Sequence, residues 1–156
     1  MGPTTNNTSP ARILFIVSPE AKERLKPHLS TANVERTMLA QVTAIIAYDL
    51  GFYEMMGKLS PNPDARDSWS KKPAEELEEA AFRNSSLQGG YFIIAARAVG
   101  VDCGPLSGFN NEGVDREFFA GTTIKSNFLC NLGHGDHTAL RARAERLDFH
   151  DVCRIL

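Results

Sequence analysis

Residues 73–99, PAEELEEAAFRNSSLQGGYFIIAARAV, are the stretch that decides the fold. Through this stretch, apolar residues recur three and four positions apart, which is the spacing of one face of an α-helix. The residues of this face are Leu77, Ala80, Ala81, Leu87, Tyr91, Ile94, Ala95 and Ala98. After Gly90 apolar residues surround nearly the whole circumference, so we predict a buried helix about 40 Å long.

The ends of this helix can also be read from the sequence. Pro73 suits a first helical turn, and Gly100 follows the last apolar residue, as a left-handed cap requires. Near the start, negative charge stands where the helix dipole favours it, at Glu75, Glu76, Glu78 and Glu79. Glu79 and Arg83 are one turn apart and are expected to pair on the solvent side.

Two features in the middle of the helix do not fit simple packing. Gly89 and Gly90 each cost about 1 kcal/mol relative to alanine in a helix interior, and residues 83–86, RNSS, form a polar girdle. Either the glycines admit a crossing helix and the girdle is solvated, or these groups approach a ligand or a second subunit. The residues alone leave both interpretations open.

The size and charge of the chain exclude several classes of function. At 156 residues with a formal net charge of −2, we expect a single domain, residues 1–156, with its own core. There is no basic stripe of the kind that nucleic-acid binding needs, and no run long enough for a membrane span or pattern typical of a signal peptide. We therefore expect a cytoplasmic protein with no nucleic-acid or membrane partner, in which three cysteines are reduced thiols.

The rest of the chain alternates short strands with short helices. The predicted strands are 12–17, 42–48 and 122–132, and the predicted helices are 19–29, 34–39, 49–59, 111–118 and 149–154. This order predicts an α/β or α+β sheet domain. Residues 60–72 predict a mobile loop and residues 104–109 a second loop. Trp69, the only tryptophan, either anchors the first loop to the core or helps to roof a pocket.

Motifs of the commonest catalytic chemistries are missing from the sequence. It has no GxGxxG fingerprint, no Walker loop, no HExxH and no GxSxG elbow. His134, Asp136 and His137 stand close enough together to suggest a metal site. Three adjacent loop ligands without a fourth fit a polar turn after a strand better, so we predict no metal site.

Three segments instead offer groups that suit a flat, anionic cofactor. Residues 3–7, PTTNN, supply hydroxyls and amides, and residues 104–108, GPLSG, supply main-chain amides beside a rigid proline. Positive charge comes from Arg141, Arg143 and Arg146. Each segment alone is common in proteins, whereas the order of the three along the chain helps to identify the kind of protein.

Four motifs, taken in order, resemble the FMN-dependent nitroreductase family, and within it the malonic semialdehyde reductase branch of pyrimidine degradation. They are GPTTNNTSPAR at 2–12, AFRNSS at 81–86, GPLSGF at 104–109 and IKSN at 124–127. The resemblance implies an α+β, three-layer fold with a mostly antiparallel sheet around a long central helix, in a homodimer with FMN at the subunit interface. It also implies hydride transfer from NAD(P)H through FMN to malonic semialdehyde, giving 3-hydroxypropionate, or to nitro and quinone acceptors.

The resemblance also assigns roles to individual residues. The segment that lies along the flavin, partly from the partner subunit, is matched by Pro3, Thr4, Thr5 and Asn7. The loop that backs the isoalloxazine ring, with two main-chain amides facing its hydride-accepting nitrogen, is matched by Pro105, Leu106, Ser107 and Gly108. The phosphate-binding basic positions are matched by Arg143 and Arg146. Preorganised amides stabilise a reduced flavin without a titrating side chain, so no catalytic acid or base is expected.

The sequence departs from the family pattern at several places. The family usually has an arginine-rich segment ahead of residue 2, Ala139 replaces a basic residue, and His134 stands where a tyrosine is usual. These departures support an alternative, an N-terminally truncated, flavin-poor and catalytically silent homodimer of the same scaffold. A third alternative is a regulatory nucleotide-binding module, which would bind without turnover.

Overall fold

A four-stranded antiparallel sheet forms the middle layer of the molecule. The computed structural model describes residues 2–140 and 142–156, and the strands are β1 (Ala11–Ile16), β2 (Val42–Asp49), β3 (Asp102–Leu106) and β4 (Ile124–Gly133). Their order across the sheet is β1-β2-β4-β3. β1 and β3 are therefore the edge strands, and β2 and β4, which carry most of the buried residues of the sheet, lie between them.

Helices cover both faces of the sheet. They are α1 (Pro19–Leu25), α2 (Thr31–Leu39), α3 (Met56–Leu59), α4 (Ala65–Ser70), α5 (Ala74–Ala98), α6 (Asn111–Phe118) and α7 (Phe149–Val152). On one face, Leu25 of α1 and Val114 of α6 pack with Ile45 and Leu129 of the central strands. On the other face, α5 packs against Ala44, Ile46 and Cys130. The α+β, three-layer prediction is confirmed.

The central helix begins and ends where the sequence predicts. α5 spans Ala74–Ala98 with Pro73 as its N-cap, Gly100 follows with a φ of 84°, and Glu79 pairs with Arg83. The prediction that its apolar face is buried is wrong for the single chain, because the side chains of Leu87, Tyr91 and Ile94 are 49%, 50% and 67% exposed. The buried side is instead made of Ala81, Asn84, Ser85 and Gly89.

Close packing against the sheet explains this inverted pattern. A Cβ at Gly89 would lie 2.6 Å from Phe128 Cζ and 3.2 Å from Ile46 Cγ2, whereas a Cβ at Gly90 would meet nothing within 4 Å. Gly89 thus admits a side chain of β4 rather than a crossing helix. The girdle is not solvated throughout, since Asn127 Nδ2 donates to Ser85 Oγ at 3.0 Å.

A buried polar cluster connects α2 to the central strands. Thr43 Oγ1 donates to Asn131 Oδ1 at 2.8 Å, and Asn131 Nδ2 donates to Thr37 Oγ1 at 3.1 Å. The nearby ammonium group of Lys22 donates to main-chain carbonyls at the end of α2, among them that of Thr37. Burial lowers the pKa of Lys22. All of these buried groups are paired, as buried polar groups must be.

Two segments that were predicted as loops are partly regular. Residues 60–72 contain helix α4, and Trp69 is buried with its ring edge-on to Phe52, at a centroid distance of 5.1 Å. Residues 104–106 continue strand β3, paired with β4 through Pro105↔Cys130 and Leu106↔Leu129. Proline is tolerated there because β3 is an edge strand. Both segments were predicted as loops because they are rich in proline, glycine or charged residues.

Three further findings concern the whole described chain. None of the described helices combines the length and apolar character that crossing a membrane requires. Within residues 2–140 and 142–156, no three His, Cys, Asp or Glu side chains gather as metal ligands, although the side chain of His137 lies outside the described part. The three cysteines, Cys103, Cys130 and Cys153, are free.

Candidate functional site

The first predicted site segment, residues 3–7, lies on the middle of α5. The main-chain N–H of Thr5 donates to Asn84 Oδ1 at 2.8 Å, and Asn84 Nδ2 donates to the carbonyl of Ala80 at 2.8 Å. Asn84 is buried. Its amide therefore bridges the helix backbone and the segment, and fixes their relative position.

The backbone of this segment has an unusual conformation. Asn6, Asn7 and Ser9 have φ angles of 49°, 57° and 43°, in the left-handed region that costs a non-glycine residue about 1 kcal/mol or more. Three contacts hold it in place: the Thr5 bond to Asn84, Asn7 Nδ2 donating to Leu59 O at 2.9 Å, and Ser9 N donating to Thr4 Oγ1 at 3.1 Å. The strained segment leaves Pro3, Thr5 and Asn7 exposed.

The second predicted segment, Pro105–Gly108, lies at the edge of the sheet where β3 ends. Its last carbonyl, that of Gly108, accepts hydrogen bonds from Ser30 N and Asn33 Nδ2, both at 2.9 Å. A Cβ at Gly108 would lie 2.5 Å from Asn33 Nδ2 and 2.7 Å from Ser30 Oγ. The loop is thus held against the start of α2, and a Cβ at Gly108 would displace the side chains of Asn33 and Ser30 that contact it.

The main-chain amides of this loop are available to a ligand. Among the described residues, no hydrogen bond joins the N–H of Ser107 or Gly108 to an acceptor, and Pro105 and Ser107 are exposed. Neither this loop nor residues 3–7 contains an acidic residue. The loop thus offers two fixed N–H donors, and residues 3–7 offer hydroxyl and amide side chains. Groups of these kinds suit a planar, electron-rich ligand that carries negative charge.

The predicted site residues form two groups rather than one. Residues 3–7 are anchored to α5, residues 105–108 are anchored to α2, and no hydrogen bond in the described chain joins the two groups. The tail arginines join neither of them. Arg146 donates only to the carbonyls of Ala144 and Glu145, Arg143 is exposed, and Arg141 lies outside the described residues.

Sequence reasoning missed two residues that position the site. Asn33 lies between the predicted helices 19–29 and 34–39 and was given no role, and Asn84 was predicted only as part of the polar girdle. Their roles depend on contacts with residues 75 and 79 positions away, which no local pattern reveals. The one signal in the sequence for Asn84 was its place in the middle of the predicted helix, where asparagine has a poor helix propensity.

A half-buried polar cluster lies at the start of α5. Tyr48 Oη donates to Glu78 Oε1 at 3.0 Å, and Lys125 Nζ donates to the same oxygen at 3.2 Å. The hydrogen bond from Tyr48, then that from Lys125, lowers the pKa of Glu78. Burial, followed by the same hydrogen bond, raises the pKa of Tyr48. This cluster fastens the first turns of the helix to β2 and β4.

Two relatives match nearly the whole chain in sequence. A protein of Burkholderia lata, described as an NADH dehydrogenase/NAD(P)H nitroreductase, is 55% identical over 154 residues, which are 99% of this chain and 78% of the relative. A protein of Cupriavidus pinatubonensis with the same description is 50% identical over 156 residues, or 99% of this chain and 80% of the relative. No protein-family model matches the chain.

Solved structures share the fold at lower sequence identity. A nitroreductase of Exiguobacterium sibiricum in complex with FMN superposes with a TM-score of 0.86 at 20% identity, covering 99% of this chain and 80% of that one. An NAD(P)H:FMN oxidoreductase of Staphylococcus epidermidis gives a TM-score of 0.83 at 22% identity, covering 99% and 79%. The described architecture, with its antiparallel sheet and long helix, is therefore the fold of these proteins.

Proposed function

Because the chain belongs to the nitroreductase family, we propose that it is an FMN-dependent NAD(P)H oxidoreductase. The observation that carries the proposal is the loop at Ser107 and Gly108, whose two amides are uncommitted while its carbonyl is fixed by Ser30 and Asn33. FMN supplies the redox chemistry, because its ring accepts a hydride from NAD(P)H and passes it to an acceptor. The protein supplies binding, orientation and electrostatic stabilisation.

Each predicted segment has a distinct task in this proposal. The amides of Ser107 and Gly108 would face the hydride-accepting nitrogen of the ring and stabilise the negative charge of the reduced flavin. Thr4, Thr5 and Asn7, with the rigid Pro3, line the cofactor with hydroxyl and amide groups, and Pro105 and Leu106 support its plane. Arg143 and Arg146 neutralise the phosphate, as guanidinium groups do well.

A second copy of the chain completes the site in our proposal. No hydrogen bond joins the two groups of site residues within the described part of one chain, and three sets of apolar residues stay exposed on it. The first set is on the outer face of α5, Phe82, Leu87, Tyr91 and Ile94; the second is along β1 and just after it, Ile13, Phe15 and Val17; the third is in the tail, Leu147, Phe149, Val152, Ile155 and Leu156. Large apolar residues exposed together on one chain are typical of an interaction surface.

The acceptor is proposed to be a small aldehyde such as malonic semialdehyde, reduced to 3-hydroxypropionate, or a nitro or quinone compound. The near-complete match to proteins described as NAD(P)H nitroreductases supports the second group, and the resemblance of the loop motifs supports the first. Reduction of either group by hydride needs no acid–base side chain near the amides of Ser107 and Gly108. A proton can come from solvent.

One glycine substitution tests the cofactor proposal. Gly108→Ala places a methyl group against Ser30 and Asn33, so the loop shifts and we expect FMN affinity and NAD(P)H oxidation to fall at least tenfold. Gly57→Ala is the matched control, since a Cβ there meets nothing within 4 Å. Flavin absorbance after FMN loading, and NAD(P)H oxidation, are the readouts. A wild-type chain that binds no FMN, or equal effects of both variants, would contradict the proposal.

A charge on the outer face of α5 tests the homodimer. Ile94→Glu would bury an unpaired carboxylate in the interface, so we expect single chains in sedimentation at micromolar concentration and loss of bound FMN. Leu39→Glu introduces the same charge at an equally exposed apolar position on α2, and we expect it to leave both properties unchanged. Ile94→Glu chains that remain paired and keep FMN would exclude this face as the interface.

A further inference from the structure

A cavity of about 420 Å³ lies between the strained segment at Asn6 and Asn7 and the pair of short helices α3 and α4. This volume is in the range of small-molecule sites. Its floor is apolar and is formed by Met56, Leu59, Ala65 and Trp69. Met56 and Trp69 are buried, and Trp69 is fixed edge-on against Phe52, so the floor is rigid.

The rim of the cavity is polar but uncharged. It carries the amides of Asn6, Asn7 and Asn62 and the hydroxyl of Ser68. Asn7 Nδ2 and Asn62 Oδ1 are each used in one bond within the chain, to Leu59 O and from Asp64 N. The opposite end of each amide stays open to a ligand, so the rim offers both a donor and an acceptor.

The arginine on α4, next to the cavity, is already paired with carboxylates. Arg66 lies on α4 next to the lining residue Ala65, and its guanidinium donates to both carboxylate oxygens of Glu54, at 2.8 and 2.9 Å, and to Asp67. No lysine, arginine, histidine, aspartate or glutamate is among the residues that line the cavity. A carboxylate placed there would lose its hydration without gaining a cation, which is unfavourable.

We propose that this cavity binds the electron acceptor, and that it selects an uncharged, planar carbonyl or nitro compound of one or two rings over a carboxylated one. Of the acceptors proposed above, this selectivity favours nitro and quinone compounds over malonic semialdehyde, which is itself a carboxylate. The inference rests on the proposed function, because Asn7 belongs both to the cavity rim and to the segment proposed to line FMN. A flat ring lies on the apolar floor beside Trp69. The amides of Asn7 and Asn62 bond its carbonyl or nitro oxygens and any amide N–H.

Two probes that differ only in charge test this selectivity. 4-Nitrobenzamide and 4-nitrobenzoate share the ring and the nitro group, and Trp69 is the only tryptophan of the chain, so its fluorescence reports binding in the cavity. We titrate both probes into FMN-loaded protein, following Trp69 fluorescence and the heat of binding. We expect saturable binding of the amide, at least tenfold tighter than that of the carboxylate. Equal or tighter binding of the carboxylate, or no response of Trp69, would overturn the proposal.

A charge placed on the rim gives a second test with a built-in control. Ser68→Lys adds an ammonium group beside the cavity, so the preference for the amide should shrink at least fivefold. Ser70→Lys adds the same charge to the same helix at a residue that does not line the cavity, and the preference should stay within twofold of wild type. Equal shifts in the two variants would contradict the proposal.

The experiment separates this inference from the proposed function. A chain that fails to bind FMN yet binds 4-nitrobenzamide with a Trp69 response contradicts the flavin proposal and leaves the selectivity of the cavity intact. A chain that binds FMN and oxidises NAD(P)H without a Trp69 response contradicts the cavity proposal alone.

Discussion

The two faces of helix α5 reverse the usual arrangement of an amphipathic helix. The inner face, Ala81, Asn84, Ser85 and Gly89, is small and polar, yet it is buried. The outer face, Phe82, Leu87, Tyr91 and Ile94, is large and apolar, yet it is exposed in the single chain. Composition therefore does not decide which face meets the chain's own sheet. The inner face packs through its shape and its hydrogen bonds, and the outer face leaves exposed the apolar area that we propose a second chain covers.

Each face contributes free energy at a different stage. Gly89 lets the ring of Phe128 approach the helix axis, and Asn84 and Ser85 make hydrogen bonds to the segment at Thr5 and to Asn127. These contacts act when the chain folds. The outer face contributes only when a second surface removes it from water, at about 25 cal/mol per Å² of apolar area.

The largest expected effect on stability is the difference between a leucine at Gly89, on the inner face, and a leucine at Gly90, on the outer face. Gly89→Leu must displace Phe128 and Ile46, so the free energy of unfolding should fall by about 3 kcal/mol. Gly90→Leu meets open space in the single chain and should change that free energy by less than about 1 kcal/mol. Urea unfolding in the Ile94→Glu background, where association does not contribute, measures both values. Similar losses would mean that the two faces do not differ in packing.

A smaller effect is expected when the anchor of the cofactor segment is removed. Asn84→Ala leaves the N–H of Thr5 and the carbonyl of Ala80 without their side-chain partner, so we expect a loss of about 2 kcal/mol in unfolding free energy and a lower FMN affinity. Ser86→Ala, at a half-buried position of the same girdle whose hydroxyl accepts from Asn127 and makes no bond to the segment at Thr5, should cost less than about 1 kcal/mol and leave FMN affinity unchanged. If the two variants bound FMN with equal affinity, Asn84 would not position the cofactor segment.

The sequence predicted the skeleton of the fold well. The bounds of α5 and α6 and the existence of the strands at 11–16, 42–49 and 124–133 follow from local periodicity and caps, which are read within one element. The last three residues of strand β3, 104–106, were missed because glycine and proline at 104 and 105 disfavour a central strand, although an edge strand accepts them. Helix α4 was missed because its six residues, between Pro63 and Pro73, are too few to show a period.

The residues of the candidate site stay a prediction from the resemblance, and no local pattern predicted how they are held. The resemblance singled out residues 3–7, where the backbone is strained at Asn6 and Asn7, and residues 105–108, where two main-chain amides are uncommitted. Their anchors, Asn84 and Asn33, are far away in sequence and depend on tertiary contact. The interpretation of α5 as a buried helix was wrong for one chain for a related reason, because periodicity does not say whether a partner surface belongs to the same chain.

The smallest effect concerns Glu78, at the start of α5 where the two faces meet. Hydrogen bonds from Tyr48 and Lys125 lower its pKa below the ordinary value of 4.5, so its contribution is present above that pH and is lost as the pH falls through the folded-state pKa. Its side chain is 45% exposed, which limits the contribution to less than about 1 kcal/mol. The difference in unfolding free energy between wild type and Glu78→Gln should therefore shrink as the pH falls from about 5 to about 3, because a carboxylate with a lowered pKa is protonated in roughly this range. A difference that grows on acidification would contradict this sign.

The central claim is that two chains enclose the flavin together. Native mass spectrometry of the FMN-loaded protein tests it most directly, since one chain has a mass of 17.1 kDa. We predict that FMN is carried by a particle of twice that mass and that Ile94→Glu yields single chains without FMN. FMN bound to single wild-type chains would contradict the account.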